Sequence, residues 1–147
     1  MKGALPAVIL LVSGCTTNHD ELKARLASCE VQLVTQQAIA EKLIEDRPKL
    51  AKEEQALADA LTAFPEDKAM LEPEPVVAAS VVPKFPPLPP ESAFEGARGA
   101  QLRRFIGDYE LRIVQLAKIN AQAESVDARR RHVQRQLALI RERHPPQ

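Results

Sequence analysis

Eight prolines between Pro65 and Pro90, with no glycine among them, limit what this chain can fold into more than any other feature. Each proline lacks the backbone N–H that a helix or an inner strand needs. Polyproline II is the natural conformation, at about 3.1 Å per residue. We therefore predict a semi-rigid, extended linker over residues 65–91. Residues 84–90 also fit a docking ligand, because Phe85 and Leu88 alternate there with prolines.

Before the prolines, residues 19–64 carry a heptad pattern of apolar residues, which predicts a first helical region prone to form a coiled coil. Gln36, Arg47 and Glu54 interrupt this seam with polar side chains. Pro48 lies inside the region, so we predict a kink near it. The seam residues are Leu22, Leu26, Cys29, Leu33, Gln36, Ala40, Leu43, Arg47, Leu50, Glu54, Leu57, Leu61 and Phe64.

After the prolines, Ser92 and Glu95 form a capping box, which predicts a second helix over residues 92–143. A short tail, residues 144–147, follows it. An apolar stripe runs along the helix, and Phe105 and Leu111 widen it, so we expect the best packing there. The stripe residues are Leu102, Ile106, Tyr109, Ile113, Leu116, Ile119, Ala123, Val126, Val133, Leu137 and Ile140.

These patterns predict an all-α fold of two long amphipathic, coiled-coil-prone helices separated by a proline-rich extended linker. Only 3% of the residues are aromatic, which suits helix seams better than a wide core. Neither helix can bury its stripe alone, so each needs a partner. The partner is the other helix, a second copy or another helical envelope protein. The excess of acidic residues before the linker and of basic residues after it favours a fold-back hairpin. Turns between paired helices usually take about two to eight residues, so the long linker favours pairing between chains instead.

The first residues have the layout of a secretory signal peptide: a positive charge at Lys2, an apolar run from Ala4 to Val12, then small residues. Ser13 and Gly14 stand immediately before Cys15. This stretch resembles the lipobox of bacterial lipoproteins. The apolar run has about nine residues, and a membrane-spanning helix needs about twenty.

The lipobox resemblance implies that residues 1–14 are removed as a signal peptide and that Cys15 then carries acyl chains such as palmitate. Residues 15–18 become a lipidated tether. Two or more acyl chains hold a protein firmly to a membrane, whereas one binds only marginally. In that family aspartate after the cysteine retains the protein at the inner membrane. Thr16 stands there instead, which implies the periplasmic face of the outer membrane.

Two further features give candidate sites. Cys29 is the second cysteine, and its place on the seam fits either a small apolar core residue or an intermolecular disulfide in a parallel dimer. Arginines near the end of the second helix form a basic cluster. These arginines fit a solvent-exposed helix face. The more specific alternative is that they contact an anionic surface. The cluster consists of Arg129, Arg130, Arg131 and Arg135.

Catalytic motifs are missing from the sequence, so we predict that the protein is not an enzyme. It has no glycine-rich phosphate loop, Gly-x-Ser-x-Gly, His-Glu-x-x-His or Cys-x-x-Cys. The three histidines, His19, His132 and His144, are scattered, and we expect no metal, cofactor or small-molecule substrate. No aromatic residues interleave with the arginines, so nucleic-acid binding is not expected either.

Together these features predict a membrane-anchored, extracytoplasmic helical scaffold or adaptor lipoprotein that positions a partner in the cell envelope. The expected partners are the membrane, through the lipid, and either a second copy or another helical envelope protein. Two alternatives stay open. The lipobox and prolines also resemble phage outer-membrane spanin-type lysis lipoproteins, which pair with an inner-membrane coiled-coil subunit. Accessory lipoproteins of secretion or conjugation machines carry similar anchors and spacers.

Overall fold

The computed structural model describes residues 18–90 and 96–146. They form three α-helices: α1 (Asn18–Ala63), α2 (Gly96–Ile119) and α3 (Ala123–Arg143). Two short 3-10 helices, Pro65–Met70 and Asn120–Gln122, complete the regular structure. These described ranges contain no strand, which confirms the all-α class. The lipobox, Cys15 and the capping box of Ser92 and Glu95 lie outside the described residues.

Helix α1 is continuous for 46 residues and passes through Pro48. A proline inside a helix leaves the carbonyl four residues earlier without its hydrogen bond. That carbonyl belongs to Ile44, whose side chain is exposed. The kink expected here remains a prediction.

The chain divides into two compact units, and each contains part of α1. Among the described residues, those within Met1–Gln36 and Pro83–Leu116 form unit 1, and those within Gln37–Val82 and Ala117–Gln147 form unit 2. The heptad seam supplies buried residues to both: Leu22, Cys29 and Leu33 in unit 1 and Leu43 in unit 2. Arg47, which the seam also included, is exposed.

The core of unit 1 forms where α1 packs against α2, so the two helical regions pair within one chain here, whereas the long linker had favoured pairing between chains. Ile106 and Ile113 of α2 are fully buried, and the three seam residues of α1 are buried beside them. Phe85 and Leu88, from the proline-rich stretch, pack against the same core. The stretch is fixed by hydrogen bonds from Arg25 to the Pro86 carbonyl and from Arg103 to the Pro89 carbonyl. Part of it therefore contributes apolar surface to the unit.

In unit 2, α1 and α3 run in the same direction. Successive contacts advance together along both helices, from Asp46 with Arg130 to Glu53 with Gln134. Residues 71–82 have no regular secondary structure and run the opposite way. Their Glu72 N–H bonds to the Gln136 side chain, and the Ser80 N–H bonds to the Ala121 carbonyl.

The second helical region is not one helix over residues 92–143, as the sequence pattern suggested. A 3-10 helix, Asn120–Gln122, separates α2 from α3. Because a 3-10 helix has about 3.0 residues per turn rather than 3.6, it shifts the phase of the apolar stripe. Ile119 was assigned to the stripe, but it is 61% exposed, because the buried face continues from Ile113 through Ala117 to Asn120.

Two residues of α2 that were expected to widen its packed face are exposed instead. Phe105 is 47% exposed and Leu111 is 58% exposed. They lie six positions apart, which is about 240° around a helix, so they cannot share the face that buries Ile106 and Ile113. The best packing of α2 does lie between Leu102 and Leu116, where Ile106 and Ile113 are buried, but Phe105 and Leu111 do not widen that face as expected.

Candidate functional site

The lipidation residue predicted from the sequence, Cys15, lies outside the described residues. The nearest described element is α1, which begins at Asn18. Two residues, Thr16 and Thr17, lie between the two positions. The acylation of Cys15 thus remains a prediction.

Inside unit 1, three polar side chains meet beside the apolar core. Arg25 donates from Nε to Glu110 Oε2 at 2.6 Å and from Nη2 to Oε1 at 2.8 Å. Such a two-bond pair between guanidinium and carboxylate is among the strongest charge-assisted contacts. The Cys29 thiol donates to Glu110 Oε2 at 3.8 Å. Glu110 is thus a buried acid that two residues of α1 satisfy.

Burial, followed by repulsion from the Glu110 carboxylate and the hydrogen bond to it, raises the pKa of Cys29 to about 11. A thiol with so high a pKa is a poor nucleophile, because the thiolate is the reactive form. Cys29 is also 1% exposed. A thiol of a second chain would reach it only after the core opened, so the buried-core alternative fits this geometry. The intermolecular disulfide itself stays a prediction.

The arginine cluster of unit 2 is paired inside the unit. Arg130 bonds to Asp46 Oδ1 at 3.0 Å and to Glu53 Oε1 at 2.7 Å. Gln134 adds a hydrogen bond to Glu53. The acids of α1 and the arginine of α3 therefore hold the two helices together through opposite charge. Asp46 is buried, although the heptad pattern placed its neighbour Arg47 on the seam.

The other three arginines of the cluster also contact acids. Arg129 bonds to Glu54 and lies 3.3 Å from Glu74, and Arg131 lies 2.9 Å from Asp127. Arg135 approaches Glu72 at 3.9 Å. Exposed pairs of this kind are worth about 0–1 kcal/mol. Contact of these arginines with an anionic surface stays a prediction, and it would compete with these pairs.

The acids that face Arg130 have lowered pKa values. The pKa of Asp46 is held down first by a hydrogen bond from Lys42 and then by the nearby positive charges. The pKa of Glu53 is held down first by the hydrogen bond from Arg130 and then by the one from Gln134. The pKa of Arg130 is raised, chiefly by the hydrogen bond to Glu53. All of these groups are charged at neutral pH.

A second polar cluster of unit 2 joins the segment after α1 to the end of α3. Asp67 accepts from Arg143 Nε at 3.1 Å and lies 2.8 Å from His144 Nε2. The His144 ring stacks on Phe64 with 3.5 Å between ring centroids. The side chain of Asp67 has no exposed surface. Its neighbour Glu66, by contrast, is exposed.

No local sequence pattern indicates the cluster of Asp67 with Arg143 and His144. Its members stand 76 and 77 positions apart, and no local spacing connects them. The available signal is weaker: an aromatic residue, Phe64, stands just before the two acids, at the end of the heptad seam.

An open hollow of about 280 Å³ lies between α1 and α3 in unit 2. Two of its lining residues are apolar, and the other four are polar or charged. It is too shallow and too open to exclude water from a reaction. Its lining residues are Lys52, Glu53, Ala56, Gln134, Leu137 and Arg141.

The outward side of α1 in unit 1 carries a second apolar strip, which we call the outer strip and define as Ala24, Ala27, Val31 and Val34. All four residues are exposed, and Val31 and Val34 reach 68% and 66%. Their spacing of three, four and three is that of a heptad seam. The strip can therefore accept another helix without disturbing the core of unit 1.

None of the helices in the described ranges combines the length and the apolar character needed to cross a membrane. Comparison of the chain with protein-family models, with curated proteins and with solved structures found no match.

Proposed function

We propose that the protein is a membrane-anchored, extracytoplasmic helical scaffold or adaptor lipoprotein that positions a partner in the cell envelope. The observation that carries this proposal is the coincidence of an apolar run, the small pair Ser13–Gly14 and Cys15 close to Met1. In the proposal Cys15 is acylated, and Thr16 after it directs the protein to the outer membrane.

The start of α1 supports an anchored arrangement. Asn18 begins the helix three residues after Cys15. A chain spans at most about 3.3–3.6 Å per residue, so acyl chains on Cys15 would hold the first turn of α1 within about 11 Å of the lipid. The anchor therefore leaves little freedom between the bilayer and unit 1.

The outer strip supports the partner part of the proposal. It lies near the start of α1, and its heptad spacing suits a helix of a second copy or of another envelope protein. Copies anchored in one bilayer would present their strips at the same height, which favours parallel pairing. In this proposal the coiled-coil character of the chain resides in the outer strip, because α2 already covers the inner seam of unit 1.

Metabolic labelling with radioactive palmitate tests the anchor. The wild-type chain should take up label and fractionate with outer membranes, and the Cys15→Ser variant should do neither. A Cys29→Ser variant is the matched control and should label as the wild type does, because Cys29 is buried in the core. Unlabelled wild type, or unchanged fractionation of Cys15→Ser, would rule out the lipoprotein.

Sedimentation of the full chain in detergent tests the outer strip. A Val31→Glu, Val34→Glu double variant should lose the self-association that the wild type shows. Thr35→Glu adds a charge at an exposed position outside the strip and should leave association unchanged. A monomeric wild type would exclude the second copy and leave another envelope protein as the partner.

A lysis function of the spanin type is the second candidate, because a lipobox and a dense run of prolines occur in one short chain. Its test is co-expression with a candidate inner-membrane coiled-coil subunit. Lysis that needs both chains and is lost with Cys15→Ser would favour this candidate over the scaffold. Intact cells in every combination would reject it.

A further inference from the structure

The strongest unexplained chemistry in unit 2 is a set of three potential metal ligands. Glu66, Asp67 and His144 each offer one ligand atom, and these atoms all lie within 4.8 Å of one another. Glu66 and Asp67 stand in the first turn of the 3-10 helix Pro65–Met70. His144 follows directly after α3. Three donors from two distant segments therefore converge on one point.

The donor set suits a divalent ion of borderline softness. One imidazole and two carboxylates are ligands that Zn²⁺ accepts, at about 2.0–2.2 Å each. Tetrahedral ligands at that distance stand about 3.3 Å apart. His144 Nε2 and Asp67 Oδ2 are 2.8 Å apart, so they need to separate by only about half an ångström to admit the ion.

The surroundings of the ligands resemble those of metal sites. Arg143 Nε donates to Asp67 Oδ1, which leaves Oδ2 directed toward His144 and fixes the plane of the carboxylate. The stacked ring of Phe64 fixes the plane of His144. Contacts of this kind orient metal ligands, and their loss typically costs about 10–100-fold in affinity.

Access to the site is one-sided. Asp67 is buried, His144 is half-buried and Glu66 is exposed. An ion can therefore arrive from solvent at the Glu66 side, and water can fill a fourth position there. Sites with three protein ligands and one water are common for Zn²⁺.

We propose that Glu66, Asp67 and His144 form a Zn²⁺ site that joins the segment after α1 to the end of α3, with water as the fourth ligand. The ion would replace the direct contact between Asp67 and His144. Because it binds the folded chain at two segments far apart in sequence, it stabilises the folded state. The site is independent of the membrane anchor and of the outer strip.

Calorimetric titration with ZnCl₂ tests the proposal. The titrated protein is the full chain with Cys15→Ser, which removes a competing thiol. We expect one Zn²⁺ per chain and a rise in Tm when the ion is added. Glu66→Gln should weaken binding by at least about the tenfold that loss of an outer-shell contact costs. Glu66 is exposed, so this variant should fold as the parent does.

Glu142→Gln is the matched control, because Glu142 is an exposed carboxylate two residues from His144 that is not one of the three ligands. Its affinity should stay within about twofold of the parent. His144→Gln should abolish both binding and the rise in Tm. No Zn²⁺ binding by the parent, or equal binding by the parent and Glu66→Gln, would show that the three residues form only an ion-pair contact.

Discussion

Arg25 donates a hydrogen bond to each carboxylate oxygen of Glu110, from Nε at 2.6 Å and from Nη2 at 2.8 Å. The pair joins α1 to α2 beside the core of unit 1, and the side chains are 20% and 10% exposed. Removing one member of a buried pair leaves a charge without its partner. Substituting one member of the pair therefore measures how much the pair contributes to holding α1 against α2.

We predict that Glu110→Ala lowers the free energy of unfolding by about 2–3 kcal/mol, somewhat less than a fully buried pair would lose, because Arg25 keeps some contact with water. Urea unfolding of the full chain in detergent measures the loss. Asp108→Asn changes an exposed carboxylate two positions away and should change stability by less than about 0.5 kcal/mol. Equal losses in the two variants would contradict the pairing.

Cys29 should react slowly with thiol reagents while the protein is folded. With a pKa of about 11 instead of 9.0, the thiolate fraction at pH 8 is about one hundredfold lower than that of an ordinary thiol. Burial slows the reaction further. In a Cys15→Ser chain, labelling should therefore be at least about one hundredfold slower in buffer than in urea. Similar rates in both would show that Cys29 is exposed.

Gly107→Ala should stabilise the protein by about 0.5–1 kcal/mol, because alanine favours a helix interior over glycine by about that amount. The added Cβ would lie 3.6 Å from Leu88 Cδ1, which is an ordinary contact distance. Gly96→Ala is the contrasting variant, because Gly96 has a φ of +74° and alanine is strained there. In urea unfolding, the free energy of unfolding should therefore rise for Gly107→Ala and fall for Gly96→Ala.

Stability should fall in acid because the pKa of Glu53 is lowered from 4.5 by Arg130. The folded form then binds fewer protons than the unfolded form near that pH. The contribution of Glu53 is complete above about pH 5 and is lost as the pH falls through its lowered pKa. The pKa of Asp46 is also lowered, from 3.8, so Asp46 likewise makes the protein less stable in acid.

The measurement is urea unfolding at a series of pH values between neutrality and about pH 3. Glu53→Gln should be less stable than the wild type at neutral pH and should depend less steeply on pH in acid. Glu41→Gln removes an exposed acid of α1 and should keep the wild-type slope. A Glu53→Gln chain as pH-sensitive as the wild type would contradict the assignment.

Heptad spacing predicted much of the apolar core, because burial of one helix face is a local property of the sequence. Leu22, Cys29, Leu33 and Leu43 are all buried as the seam required. The stripe after the prolines failed at Ile119, because the pattern placed two successive steps of three at Ile113, Leu116 and Ile119. The buried face instead runs from Ile113 to Ala117 and Asn120, and the extra step of three falls in the 3-10 helix Asn120–Gln122.

The sequence pattern also did not predict which charged residues are buried. Asp46, Asp67 and Glu110 are each buried, yet an isolated acid in a sequence is normally interpreted as surface. What makes burial tolerable is a partner more than 70 residues away, such as Arg25 for Glu110 or Arg143 for Asp67. Pairings at that separation are invisible to a pattern, so the polar clusters could not be found from the sequence.

The return run between Glu72 and Ser80 has a mechanical consequence for unit 2. Eight residues there lie alongside the fifteen that separate Gln136 from Ala121, since an extended residue advances about 3.1 Å and a helical one about 1.5 Å. Deleting a single residue between these two attachments would thus draw them together by about two helical positions. The length of this irregular segment sets which residues of α3 it contacts. Insertions and deletions in it should therefore be tolerated far less than substitutions.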